Sequence, residues 1–94
     1  MKKKEAKQII SVELEQYKAK PHSELAQMID GEPIIREKSG PSGKNYQIEI
    51  HVFWDDTLYG NIRVMGSIDD GGWRSFVPLN DSFIKTPLNE LIGE

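Results

Sequence analysis

The sequence predicts an α+β domain in which two N-terminal helices pack on an antiparallel sheet of four to five strands. Two observations lead to this prediction. Residues 4–30 carry apolar side chains at three- and four-residue steps, whereas residues 45–77 largely alternate apolar and polar side chains. The first spacing is typical of a helix with one buried face and the second of a strand with one buried face. Helical patterns followed by a run of strand patterns indicate two packed layers.

The helices are predicted over residues 4–19 and 22–30. The apolar positions of the first helix share one stripe, and they are Ala6, Ile9, Ile10, Leu14 and Tyr17. Pro21 separates the two segments, and Gly31 with Pro33 ends the second, because glycine favours a helix stop and proline cannot continue the helix.

Strands are predicted at 33–38, 45–54, 61–69 and 73–77, with 82–85 as an extra short strand. The dipeptide Asp70-Gly71 favours a tight hairpin turn between the third and fourth strands. Thr86-Pro87 is typical of the start of a helix, which predicts a final helical turn that includes Leu88, Leu91 and Ile92.

The alternation also predicts the register of the sheet. Trp54 opposite Ile62 in one hairpin, and Val64 opposite Val77 in the next, bring the large apolar side chains to one face. That predicted core face consists of Tyr46, Ile48, Ile50, Val52, Trp54, Ile62, Val64, Ile68, Trp73 and Val77. A shift of one residue would scatter this set between the two faces, so we expect the helices to dock on it.

The opposite face, called the second sheet face below, is unusually apolar for a face that meets water. In the predicted register it carries Gln47, Glu49, His51, Phe53, Arg63, Met65, Ser67, Arg74 and Phe76. Phe53, Met65 and Phe76 would form an apolar patch, with His51, Arg63 and Arg74 at its rim. Three interpretations stay open: residues 79–92 cover the patch, a second copy of the chain binds it, or another partner or ligand does.

Length and composition limit the functional classes. Ninety-four residues predict one domain with one modest core. The sequence has no cysteine, so a disulfide framework and a thiolate zinc site are excluded. This composition suits a reducing cytoplasm, and a small bacterial-type protein is expected. No run of side chains approaches the ~20 apolar residues that cross a bilayer, so we expect no membrane association.

Charge is distributed unevenly along the chain. Residues 1–20 hold six lysines and three glutamates, residues 21–60 hold three basic and seven acidic groups, and residues 61–94 hold three and five. The segments therefore carry +3, −4 and −2, and the whole chain −3. Nucleic-acid binding depends on clustered Lys and Arg, so an acidic body predicts no nucleic-acid partner.

Short motifs do not indicate a cofactor or a metal. The segment 40–45 lacks the spacing and the following helix of a phosphate-binding loop, and it is interpreted as a hairpin turn. Asp55-Asp56 and Asp69-Asp70 lack the alternating ligands of a calcium loop. His22 and His51 have no second histidine at ligand spacing. His51 and Glu49 point the same way about 7 Å apart along the strand, a separation that only extended side chains can bridge.

The sequence therefore favours a non-catalytic protein-interaction module, either homodimeric or resembling an immunity protein or antitoxin in its acidic charge. Its predicted binding residues are Phe53, Met65, Phe76, His51, Arg63 and Arg74. The alternative is a small-molecule-binding protein or minor enzyme that uses His51, Glu49, Arg63 and Arg74 in a pocket on the second sheet face.

Overall fold

A computed structural model describes residues 2–71 and 78–92. Its helices are α1 (Lys3–Lys18) and α2 (His22–Gln27), and its strands are β1 (Ile34–Ser39), β2 (Asn45–Trp54), β3 (Ile62–Asp69), β4 (Leu79–Lys85) and β5 (Leu91–Ile92). The strands form one antiparallel sheet in the order β1-β2-β3-β4-β5. The α+β class and the helix-on-sheet arrangement are confirmed.

Helix α1 lies on the sheet through the stripe that its spacing predicts. Ala6, Ile10, Leu14 and Tyr17 are all buried, and the helix packs on β3 and β4. Glu13 lies in the same stripe and is also buried, which the apolar pattern alone does not predict.

Helix α2 is shorter than predicted and ends at Gln27 rather than at residue 30. Beyond it the backbone bonds span three residues, from Met28 N–H to the Leu25 carbonyl and from Gly31 N–H to the Met28 carbonyl. Such bonds tighten the chain into turns, which direct it toward β1.

The predicted register of β2 with β3 is confirmed. Trp54 lies opposite Ile62, and Val52 lies opposite Val64. The turn at 40–43 is confirmed as a hairpin, since Gly40 N–H donates to the Lys44 carbonyl at 2.9 Å. Gly43 has φ +88°, a conformation that glycine adopts without a steric penalty.

The other neighbour of β3 differs from the prediction. Val64 lies opposite Phe83 of β4, not opposite Val77, so the predicted register is wrong on this side of β3. The strand predicted at 73–77, including Trp73 and Val77, lies outside the described residues. The extra strand predicted at 82–85 is present and longer, and it lies beside the centre of the sheet.

The chain after β4 forms a hairpin turn where a helical turn was predicted. Thr86 N–H donates to the Glu90 carbonyl at 2.8 Å, and Asn89 N–H donates to the Thr86 carbonyl at 2.9 Å. Asn89 has φ 67°, which suits a turn rather than a right-handed helix. The turn leads into β5, so residues 79–92 extend the sheet. The interpretation in which they cover the second sheet face is therefore wrong.

The core lies between the helices and the sheet. Its buried strand residues are Tyr46, Ile48, Ile50, Ile62, Val64, Ile68 and Phe83. Val52 and Trp54 belong to the same face and are partly buried. The predicted core face is thus confirmed for the residues of β2 and β3.

Candidate functional site

The second sheet face brings together the four predicted binding residues that the structure describes. His51 of β2 lies opposite Met65 of β3, and Phe53 lies opposite Arg63. These pairs follow from the confirmed register. The remaining two predicted residues, Arg74 and Phe76, lie outside the described residues.

The apolar neighbours on this face come partly from positions that were not predicted. Ile35 lies opposite Glu49, Ile84 lies opposite Arg63, and Ile92 lies opposite Ile84. Ile35, Phe53 and Ile92 are exposed by 58%, 36% and 41%, whereas Ile84 is buried. The exposed side chains therefore lie on three strands, with Ile35 and Phe53 on one side of the strand that holds the half-buried Met65 and Ile92 on the other side.

Arg63 is held against the second sheet face by two side chains. Its Nε donates to Oδ1 of Asp55 at 2.8 Å, and its terminal nitrogen Nη1 donates to Oγ of Ser82 at 3.0 Å. The Arg63 and Asp55 side chains are only 25% and 19% exposed. A partly buried charged pair of this kind has a defined geometry, so the guanidinium group lies at a set position beside Phe53.

His51 and Glu49 form a second pair on the same face. Nε2 of His51 lies 2.7 Å from Oε1 of Glu49. An ionised carboxylate only accepts hydrogen bonds, so Nε2 is the donor. The two side chains are thus extended toward each other and bridge the distance of about 7 Å between alternate residues of one strand. Both remain more than a third exposed, and the pair orients the imidazole ring at the rim of the patch.

The acidic turn residues show the contacts of ordinary turns. Asp69 Oδ1 accepts from Gly71 N–H at 2.9 Å, and the Asp70 carboxylate lies 3.7 Å from Nζ of Lys44. Over residues 2–71 and 78–92, no group of three or more histidine, aspartate or glutamate side chains is placed to hold a metal ion.

His22, the other histidine, has a structural role. Its Nε2 lies 2.8 Å from the Gly60 carbonyl, its backbone N–H donates to Oδ1 of Asn89 at 2.7 Å, and its ring lies 5.9 Å from that of Trp54. These contacts join the start of α2 to the β2–β3 loop and to the β4–β5 turn. Trp54 also meets Tyr59 edge to face at 5.6 Å, so it is part of the packing at this end of the sheet.

A cavity of about 350 Å³ opens where β1 begins. One wall comes from the α2–β1 connection and the other from β2, and the lining residues are Met28, Ile29, Gly31, Glu32, Pro33, Ile34, Ile50, His51, Val52 and Phe53. Most of these side chains are apolar, and none is Lys or Arg. The cavity adjoins the second sheet face through His51 and Phe53. Sequence reasoning did not identify it, because it depends on where β1 starts relative to β2.

Comparison of the chain with protein-family models, with curated proteins and with solved structures finds no match. No helix in the described part of the chain is both long and apolar enough to cross a membrane.

Proposed function

We propose that this protein is a non-catalytic interaction module that binds a basic partner protein through the second sheet face. The observation that carries the proposal is the exposure of Phe53, Ile35 and Ile92 on the sheet face opposite the helices, the face that also holds Met65. Aromatic residues, Met and Arg are the types enriched at the centres of protein interfaces.

The charges on this face support binding by another protein. Arg63 is paired with Asp55, and His51 with Glu49. A partner that covers the Arg63–Asp55 ion pair does not strand a lone charge in an apolar interface, which would cost roughly several kcal/mol per ion, and the Glu49 carboxylate keeps its hydrogen bond from His51. The apolar side chains supply affinity, and the paired charges orient the partner.

The basic character of the partner is inferred from the charge of the chain. Residues 21–60, which include α2, β1 and β2, carry −4. Complementary charge accelerates association and disfavours acidic competitors. An immunity- or antitoxin-like role is one form of this proposal, and a homodimer is the competing form.

The test uses the tagged full-length protein as bait at low salt, compared with variants Phe53→Lys and Ile35→Lys. Both substitutions place a positive charge on the second sheet face, and each should weaken capture of a basic partner by roughly tenfold or more. The matched control is Val12→Lys, which alters a 65% exposed apolar side chain on α1. Equal capture by all four proteins would contradict the proposal.

The molar mass from light scattering over a concentration series distinguishes binding of a basic partner from homodimer formation. A monomer that captures a basic protein supports the proposal as stated. A dimer that Phe53→Lys dissociates, with a native circular dichroism spectrum, would replace the basic partner by a second copy of the chain.

A small-molecule-binding role is the second candidate, because His51 is oriented by Glu49 and borders the cavity. A cavity of this size lies at the lower end of the range for ligand pockets. A thermal shift with a single metabolite, lost in His51→Ala and in Arg63→Ala, would favour this candidate. If the protein is an interaction module, no metabolite of a panel should raise its melting temperature.

The proposal places the protein in a bacterial cytoplasm. Small size and a sequence without cysteine suit a reducing compartment. Fractionation of bacterial cells that express the full-length chain should recover it with cytoplasmic markers, and recovery with the membrane or the periplasm would contradict this part.

A further inference from the structure

We infer that the open edge of β2 at His51–Trp54 accepts an extended peptide segment of the partner as an added strand, with one apolar side chain in the adjoining cavity and a Lys or Arg beside Glu32. This inference rests on the proposed function and specifies how the partner is recognised.

Strand β1 is too short to pair with the whole of β2. It begins at Ile34, opposite Ile50, whereas β2 continues to Trp54. Within the described part of the chain, no strand pairs with the four residues 51–54 on this side of β2. Their other side pairs fully with β3. An added strand here would continue the line of β1.

The direction of the backbone groups follows from the hairpins at the two ends of β2. Asp55 N–H donates to the Asn61 carbonyl across the β2–β3 hairpin, and the Lys44 carbonyl accepts from Gly40 across the β1–β2 hairpin. Backbone groups of alternate residues point to opposite edges of an antiparallel strand. Odd-numbered residues of β2 therefore face β3, and even-numbered residues face β1.

Val52 and Trp54 are the even-numbered residues beyond the start of β1. Their N–H and C=O groups consequently point to the open edge. Unpaired groups at a sheet edge are the template for strand addition, in which main-chain bonds supply affinity and alternate side-chain pockets supply specificity.

The cavity provides such a pocket at the right place. A peptide residue opposite Val52 pairs its backbone with Val52, and its side chain points to the same sheet face as Val52. Met28, Ile29 and Ile34 line the cavity next to Val52. The neighbouring peptide residues then point to the second sheet face beside His51 and Phe53, so the strand and the face form one continuous binding surface.

Charge selects the chemistry of the peptide. Glu32 is exposed and lines the cavity, exposed Asp30 precedes it, and the lining contains no Lys or Arg. Neither carboxylate has a cationic partner among the described residues. The opening is therefore acidic and favours a Lys or Arg that flanks the apolar residue.

The probe is the labelled synthetic peptide Lys-Val-Leu-Val-Lys, titrated into the full-length protein and followed by fluorescence anisotropy and by backbone amide chemical shifts. We expect saturable binding with the largest shifts at Val52, Trp54 and Ile29. The inference would be overturned if binding did not saturate at peptide concentrations up to about 1 mM. It would also be overturned if only the amide chemical shifts of Ile35 and Ile92 changed.

Two N-methylated peptides test the backbone pairing. Methylation of the central leucine nitrogen removes the donor that faces Val52, and binding should weaken by roughly tenfold. Methylation of an adjacent valine nitrogen blocks a group that faces solvent, and affinity should stay within about threefold. Equal loss with both peptides would overturn the assignment of strand addition.

Two protein variants test the edge and its charge. Val52→Pro removes the N–H that points to the open edge. Proline is tolerated at such edge positions, so the variant should fold, and it should no longer bind the peptide. If this variant does not fold, Glu32→Lys decides: it should weaken binding of the lysine peptide and strengthen that of Glu-Val-Leu-Val-Glu. The matched control is Glu37→Lys, an exposed β1 residue outside the cavity. Equal effects of Glu32→Lys and Glu37→Lys would overturn the charge argument.

Capture of the basic partner distinguishes failure of this inference from failure of the proposed function. Sensitivity to Ile35→Lys without sensitivity to Glu32→Lys or Val52→Pro would keep the second sheet face and overturn strand addition. If none of these three substitutions weakened capture of the partner, both the strand-addition inference and the proposed function would be overturned. A dimer in which Val52 N–H becomes protected at high protein concentration would assign the edge to a second copy and overturn the peptide inference.

Discussion

Nε of Arg36 lies 3.1 Å from Oε2 of Glu13, and this ion pair joins strand β1 to helix α1. The Glu13 side chain is only 2% exposed, whereas that of Arg36 is 49% exposed. Nζ of Lys38 lies 3.8 Å from the other carboxylate oxygen, and Gln16 donates to Oε2 at 2.6 Å. The buried carboxylate is therefore neutralised by two cations of β1 that still reach water.

Glu13→Gln should lower the free energy of unfolding by about 1–2 kcal/mol, because the buried position loses its charge-assisted contacts while Arg36 and Lys38 can turn to solvent. Urea unfolding measures this difference. The control is Glu15→Gln, since Glu15 is 64% exposed and 3.5 Å from Lys18, and its change should stay within about 0.5 kcal/mol. Equal losses for the two variants would contradict the prediction.

Gly66 is required by the close approach of α1 to β3. A Cβ atom at this position would lie 2.6 Å from Cδ1 of Ile10 and 3.2 Å from Cδ1 of Ile50. Gly66→Ala should therefore destabilise the fold by about 1–3 kcal/mol, measured by urea unfolding. Gly31→Ala is the control, because the nearest atom there, the Met28 carbonyl oxygen, is 3.4 Å away.

A double variant identifies the cause of the Gly66→Ala effect. Ile10→Val removes the atom that the new Cβ would meet and by itself should cost about 0.5–1.5 kcal/mol. The loss in the double variant should be smaller than the sum of the single losses by more than about 0.5 kcal/mol. Strict additivity would show that contact with Ile10 is not the reason for glycine at this position.

Lys85 is buried at 5% exposure, and its Nζ donates to the Lys18 carbonyl at 2.6 Å. This bond satisfies a carbonyl at the end of α1 that has no partner in the next turn. Lys85→Met keeps the aliphatic stem but removes the donor, and we expect a loss of about 1–3 kcal/mol in unfolding free energy. Lys20→Met, which changes a residue with a surface pair to Glu24, should cost less than about 1 kcal/mol. The reverse order would contradict the assigned role of Lys85.

Burial raises the pKa of the Tyr46 phenol, and the negative charges of Glu5 and Asp70 raise it further. The folded state therefore holds this proton to a higher pH than the unfolded state, whose pKa is about 10. The resulting stability is complete below about pH 10 and is lost as the pH rises through the raised pKa of the folded state. Unfolding free energy should fall in that window.

Tyr46→Phe removes this contribution to the pH dependence. The Tyr46 hydroxyl is buried, and no described residue completes a well-formed hydrogen bond with it, so the substitution should change stability by less than about 1 kcal/mol near pH 8. Above pH 10 the variant should lose less stability than the parent protein. Tyr59→Phe, at a residue that is 74% exposed, should leave the pH profile unchanged. Parallel profiles for the parent and Tyr46→Phe would contradict the prediction.

The prediction from sequence succeeded where local pattern and turn chemistry agree. The alternation in β2 and β3 and the spacing in α1 each place one apolar set on one side, and a shifted register would expose that set. It was incomplete at β4: it predicted a strand at 82–85 but neither its start at Leu79 nor its place beside β3, because Asn80 and Asp81 interrupt the alternation. Leu79–Lys85 is a strand because it pairs with the free edge of β3, an interaction between distant segments that no local pattern reports.

The candidate site was predictable to a similar extent. The pairs His51–Met65 and Phe53–Arg63 follow directly from the β2–β3 register. The face of Ile35 could not be predicted from the alternation, because Ile34 precedes it and the charged Arg36 lies on the helix side, where it pairs with Glu13. The positions of Ile84 and Ile92 could not be predicted either, because they depend on how β4 and β5 pair.

By itself, the sequence determined the fold class, the buried stripe of α1, the β1–β2 hairpin and the register of β2 with β3. These features depend on periodicity and on short-range turn preferences, which act within a few residues of one another. The tertiary structure alone decided which strand completes the sheet beside β3, that Glu13 and Lys85 are buried with partners, and that β1 starts late enough to leave Val52 and Trp54 at an open edge. Each of these depends on contacts between segments far apart in the chain, where the free energy of pairing and burial outweighs local preference.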